Sequence, residues 1–193
     1  DILPDKAVSK KSKIDLVLKI WREANHPEFT REYLTGRGIP ESAFEDLLGK
    51  VIRGAKIKYI YKGKYEEHLS MIYLLGLECL VRTPIHSEVR AYLGKPMLGT
   101  KGFCFFGPLD SNHLIVVEGM ENALSVRSME PNRNVRFAVC GDEGNLRKFI
   151  PDQEYEKIEI WADDDFSTEK PPNPGLHAAL DLQKKLGGTI VRP

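Results

Sequence analysis

The chain has 193 residues, 41% hydrophobic and 29% charged, with 28 Lys and Arg balancing 28 Asp and Glu. This is the composition of an ordinary globular chain rather than a low-complexity one. No apolar run approaches the ~20 residues needed to span a membrane, and Asp1-Ile-Leu-Pro-Asp-Lys6 has neither the basic nor the apolar region of a signal peptide, so no membrane partner and a cytoplasmic setting are expected.

The three cysteines, Cys79, Cys104 and Cys140, are odd in number and widely spaced. They argue against a disulfide framework or a zinc ribbon and read as small buried hydrophobes. The five histidines (26, 68, 86, 113 and 177) lack metal-ligand spacing and read as structural or surface residues. Charge is unevenly spread: residues 1–100 carry 17 basic and 13 acidic side chains, and residues 101–193 carry 11 and 15. A basic half suits a surface that meets a polyanion and an acidic half suits one that holds cations, although chance produces asymmetries of this size. With no initiator Met, the chain is expected to be a piece of a longer protein.

In chain order, residues 1–11 read as a lead-in and residues 13–25 as a helix with Ile14, Val17, Leu18 and Trp21 on one face. Pro27 suits the first turn of a short helix that ends at Gly36 or Gly38, and residues 40–48 offer another short helix. Residues 56–82 read as two or three antiparallel strands turning near Gly63 and Gly76, with residues 103–106 as one more. Within them Lys56, Lys58, Lys62 and Lys64 form a solvated strand face or an electrostatic track for single-stranded template, while Tyr59, Tyr61, Tyr65 and Tyr73 are expected to pack in the sheet.

Beyond a boundary at residues 108–112 the rhythm changes to β-α alternation. Strands are expected at His113–Val117, 135–140, 157–162 and from Thr189, with helices at Met120–Met129, 143–149 and 175–186. This pattern predicts an α/β fold, a parallel sheet covered by helices, with its ligand site beyond the carboxyl ends of the strands. The expected domains are a small α+β lobe over residues 1–110 and the parallel α/β domain over 111–193. Trp161 is expected in the core.

Two acidic groups occupy equivalent places in that pattern. Glu118 follows the apolar run 114–117 and precedes Gly119; Asp163, Asp164 and Asp165 follow the strand ending at Trp161 and Ala162. Alternation sends Asp163 and Asp165 one way and Asp164 the other. Taken singly, each acid fits a helix cap or loop residue just as well. Carboxylates converging on one sheet edge repel unless a cation lies between them, and an all-oxygen donor set suits Mg²⁺ or Mn²⁺.

The pairing of VVEGMENAL (116–124) with WADDDFSTEKPPNPGLHAAL (161–180) resembles the Toprim signature, shared by bacterial primases, topoisomerases and certain nucleases. Residues 32–39, Glu-Tyr-Leu-Thr-Gly-Arg-Gly-Ile, resemble a segment of phage, plasmid and mobile-element primases, and residues 81–107 resemble the stretch that leads into their Toprim domain. The resemblance implies a Rossmann-like sheet of four parallel strands and a DNA primase core that makes short RNA primers on single-stranded DNA from nucleoside triphosphates, with a replicative helicase as a further partner. It implies Glu118, Asp163 and Asp165 as the catalytic Mg²⁺ or Mn²⁺ ligands. Arg82, Lys95, Lys101, Gly119, Glu121 and Gly141 would face nucleotide or template, with Glu121 as the second acid of the Glu-Gly motif.

The sequence departs from that pattern in two places. Residues 166–174 separate the acids from Gly175, and no further acid follows the strand that begins at Thr189. A Toprim nuclease using the same acids and a non-catalytic nucleic-acid-binding fragment remain alternatives. A topoisomerase fits less well, because no nucleophilic Tyr stands in a recognisable context.

Overall fold

The computed structural model describes residues 10–130, 134–163 and 173–192. The chain divides into two compact units, one ending at Gly102 and one starting at Phe103, and Ser42–Phe44 belongs with the second.

The first unit is a mixed α/β body. Helices α1 (Lys10–Glu23) and α2 (Pro27–Gly36) are followed by two single 3₁₀ turns, Glu41–Ala43 and Glu45–Leu47, where one helix was expected. Strands β1 (Ile52–Tyr61), β2 (Lys64–Leu74), β3 (Cys79–Pro84) and β4 (Met97–Gly99) form an antiparallel sheet in sequential order. Helix α3 (Ser87–Leu93) precedes β4; neither element stood out in the sequence. The β1–β2 turn has Lys62 and Gly63 at φ 48° and 80°, the positive values a two-residue hairpin requires.

Along β1 the sequence alternates, so Ala55, Ile57, Tyr59 and Tyr61 are buried while Lys56, Lys58 and Ile60 face water. Ala55, Ile57 and Tyr59 of that row pack with Ile72 and Leu80 against Val17 of α1 and Ala24 just beyond its end. On β2, Tyr73 is fully buried, but Tyr65 is 60% exposed and does not pack in the sheet as expected. At Gly54, as at Gly99, backbone leaves no room for a side chain. The His26 backbone crosses Gly54, its N–H donating to the Gly54 carbonyl at 3.1 Å, and a methyl group there would lie 1.9 Å from the His26 oxygen.

The second unit carries a five-stranded sheet of order β5–β7–β6–β8–β9: β5 (Cys104–Phe106), β6 (His113–Val117), β7 (Arg136–Val139), β8 (Lys157–Trp161) and β9 (Thr189–Val191). Strands β6 to β9 run parallel, whereas β5 runs antiparallel on the edge beside β7. Two expectations are corrected here. The sheet has five strands rather than four, and the 103–106 strand belongs to this sheet rather than to the first lobe, because Cys104, Phe105 and Phe106 pair with Val139, Ala138 and Phe137.

Helices α4 (Met120–Met129), α5 (Glu143–Leu146) and α6 (Pro174–Leu186) connect the parallel strands. Helix α4 packs on β6 and β7, while α5 and α6 pack on each other and α6 on β8 and β9. Leu114, Val116, Ala138 and Ile160 meet Leu146, Phe149, Ala179 and Leu182 in one core. Each such fully buried aliphatic side chain contributes about 1.5–3 kcal/mol relative to exposure. All three cysteines are free and buried. No helix among the described residues is long and apolar enough to cross a membrane.

Candidate functional site

The order β7–β6–β8 places the site. From β6 the chain leaves through α4 to β7 on one side, then returns past β6 to β8 and continues through α6 to β9 on the other. The direction of winding therefore reverses between β6 and β8, and at such a point the connections part beyond the carboxyl ends of the strands and leave a crevice. Val117 and Trp161 are paired at these two ends. Glu118 is the next residue on one strand, and Asp163 lies just past the other.

Gly175, in the first turn of α6, measures how closely the two acids converge. A methyl group on Gly175 would stand 3.4 Å from both Asp163 Cβ and the Asp163 carbonyl oxygen, and 3.5 Å from Glu118 Oε2. The missing side chain leaves a methyl-sized gap bordered by Glu118 Oε2 on one side and by the Asp163 Cβ and carbonyl oxygen on the other. Helix α6 begins there, with Asn173 as its N-cap; the Asn173 Oδ1 accepts the Leu176 N–H at 3.0 Å. The partial positive charge of a helix N-terminus favours ionised carboxylates nearby.

The wall of the crevice is backbone. The Gly141 N–H donates to the Glu118 carbonyl at 2.6 Å and the Cys140 N–H to the Val117 carbonyl at 3.0 Å. Gly141 turns the chain at φ 90°, a conformation that a residue with a Cβ rarely adopts. Asp142 then caps α5 by accepting the Asn145 N–H at 2.8 Å. Cys140 beneath them is fully buried; burial first, and then the Glu118 and Asp142 charges, push its thiol pKa far up, so it is not a nucleophile at neutral pH.

Of the residues read as metal ligands, Glu118 and Asp163 come together, and Asp165 lies outside the described residues, as does Asp164. Among the described residues no group of three His, Cys, Asp or Glu side chains is arranged to hold a metal ion. Glu121, expected as the second acid of the motif, is 6% exposed and lies with Met120, Ala123 and Leu124 among the buried residues of α4. The neighbouring Asn122 reaches Asp163, donating from Nδ2 to Asp163 Oδ1. Sequence reasoning missed Asn122 because it looked for a carboxylate. The available signal was position: Asn122 falls in the first helical turn after the strand tip that carries Glu118. Gly119 is buried as the N-cap of α4.

Arg82, Lys95 and Lys101 belong to the first unit. Arg82 is partly buried on β3, its guanidinium 5.5 Å from the Tyr59 ring centre and its Nε 3.4 Å from the Pro96 carbonyl. Burial lowers its pKa. Lys95, one residue before that carbonyl, and Lys101 are exposed. Trp161 is partly buried rather than fully in the core, with its indole N–H donating to Glu159 at 3.1 Å. A cleft of about 450 Å³ in the first unit, lined by Lys13, Glu78, Met97 and Thr100 among others, includes none of the expected site residues.

The chain matches no protein-family model, no curated protein and no solved structure.

Proposed function

We propose that the second unit is a Toprim domain and that the chain is the catalytic core of a DNA primase, making short RNA primers on single-stranded DNA with Mg²⁺ or Mn²⁺. The observation that carries this reading is the meeting of Glu118 and Asp163 at the crevice between β6 and β8, around the gap at Gly175. The resemblance of residues 116–124 and 161–180 to the Toprim signature joins the same two acids.

The donor set fits a hard divalent cation. Both acids offer oxygen only, Glu118 Oε2 and Asp163 border the same gap at Gly175, and a bound cation would relieve the repulsion of carboxylates brought to one sheet edge. Glu118 and Asp163 would hold the metal, with Asp165 as a further ligand implied by the resemblance. A divalent ion in this place neutralises charge that develops on a phosphoryl group in transfer. Asp163 serves as a fixed anionic ligand. Glu118 either shares that task or accepts the proton of the attacking 3′-hydroxyl. Arg82 and Lys95 contribute cationic contacts to phosphate. A guanidinium such as that of Arg82, 5.5 Å from the Tyr59 ring centre, can offer a phosphate a bidentate contact.

The test is primer synthesis on a single-stranded template with nucleoside triphosphates and Mg²⁺. Asp163→Asn is expected to abolish synthesis, at a loss of about 10³-fold or more, since a charge acting on the transferred group is removed. Synthesis within about tenfold of the wild type, a difference of only ~1.4 kcal/mol in barrier, would overturn the proposal. Cleavage of the template without synthesis would point to the nuclease.

A further inference from the structure

Asn122 has no role in the mechanism above, yet it makes a side-chain hydrogen bond to one of the two acids at the crevice. It sits in the first turn of α4, immediately beyond the end of β6, and donates from Nδ2 to Asp163 Oδ1. We propose that Asn122 is the positioning residue of the acid pair. It holds one oxygen of Asp163 so that the carboxylate turns its other oxygen, together with Glu118 Oε2, toward the gap at Gly175. The inference rests on the metal reading of that gap.

An aspartate past the end of a strand turns broadly about its terminal torsion, and a ligand that must be fixed each time costs affinity. A hydrogen bond from a side chain on a packed helix removes that freedom. Met120, Ala123 and Leu124 anchor this turn of α4, each fully buried. The chemistry of the partner matters as well. An amide donates to the carboxylate and adds no charge, whereas an aspartate in the same place would set a further anion against Asp163. Side-chain donors that hydrogen-bond a metal ligand orient it and are worth about 10–100-fold in affinity.

The experiment is calorimetric titration of the 193-residue chain with MnCl₂ and with MgCl₂, for wild type, Asn122→Ala, Asn122→Leu and Asp163→Asn, beside melting temperatures in EDTA. Leu keeps the branched shape of Asn and removes its polar atoms, the donor included. Both Asn122 variants are expected to bind about tenfold more weakly or worse while their metal-free melting temperatures stay at the wild-type value. Wild-type affinity in both variants, with Asp163→Asn still deficient, would overturn the positioning role alone. A fall in metal-free melting temperature that accounts for the lost binding would overturn it in favour of a structural role. Wild-type binding by Asp163→Asn would overturn the metal reading beneath it.

Discussion

His113 shows how one side chain responds to all its neighbours. Its Nε2 lies 3.4 Å from Glu159, a partner that would normally raise an imidazole pKa, yet the pKa is lowered. Burial is the first cause, and Lys157 is the second, its Nζ 2.5 Å from the same Glu159 oxygen. Glu159 is itself held below the usual carboxylate range: burial alone would raise it, but the Lys157 and Trp161 hydrogen bonds and the nearby charges outweigh burial. A lowered folded-state pKa means that the unfolded chain takes up the proton first. His113 therefore costs stability as the pH falls through its ordinary value of about 6.5, and its penalty is absent above that value. Denaturant melts between about pH 7 and pH 5 should show a smaller loss of stability in His113→Gln than in the wild type. Equal losses would place the pH dependence elsewhere.

The acids at the crevice were legible in the sequence for the same kind of local reason. Glu118 and Asp163 each follow an apolar strand, and that placement alone sends them to one edge of a parallel sheet. Asn122 was not legible, since its hydrogen bond depends on which way the first turn of α4 faces. The burial of Glu121 depends on the same rotation.

At the scale of elements, period was the reliable guide and short irregular pieces were not. The hairpin of β1 and β2, the amphipathic α1 and the run β6–α4–β7 follow from repeating patterns longer than a turn. Strand β5 is three residues long and carries no period, so its partner is decided by the long-range pairing with β7. Two glycines make the element-level account testable. Gly54→Ala should force the His26 backbone away from β1 and destabilise the first unit by about 1–3 kcal/mol or more, read by chemical denaturation. Gly141→Ala places a side chain at φ 90° and should cost about 1–3 kcal/mol. It should also weaken metal binding, because the Gly141 N–H holds the Glu118 carbonyl. An unchanged affinity would show that the β7 loop does not help position Glu118.

Over the whole molecule, the chain joins a mostly antiparallel body to a mostly parallel one, and the expected acids lie on the second while Arg82, Lys95 and Lys101 lie on the first. This matches the charge asymmetry between the two halves of the sequence. Under the proposed roles, metal binding and polyanion binding are separable properties. Asp163→Asn should lose the metal while keeping affinity for single-stranded DNA at low salt, and Lys95→Ala with Arg82→Ala should do the reverse, with a shallower salt dependence of binding.

Glu118 and Asp163 are proposed to form one metal site, and Mn²⁺ binding followed by electron paramagnetic resonance reads that site without an assay of activity. A saturable site is expected in the wild type, displaced by Mg²⁺ and removed by both Glu118→Gln and Asp163→Asn. Mn²⁺ binding that survives both substitutions would contradict the proposal.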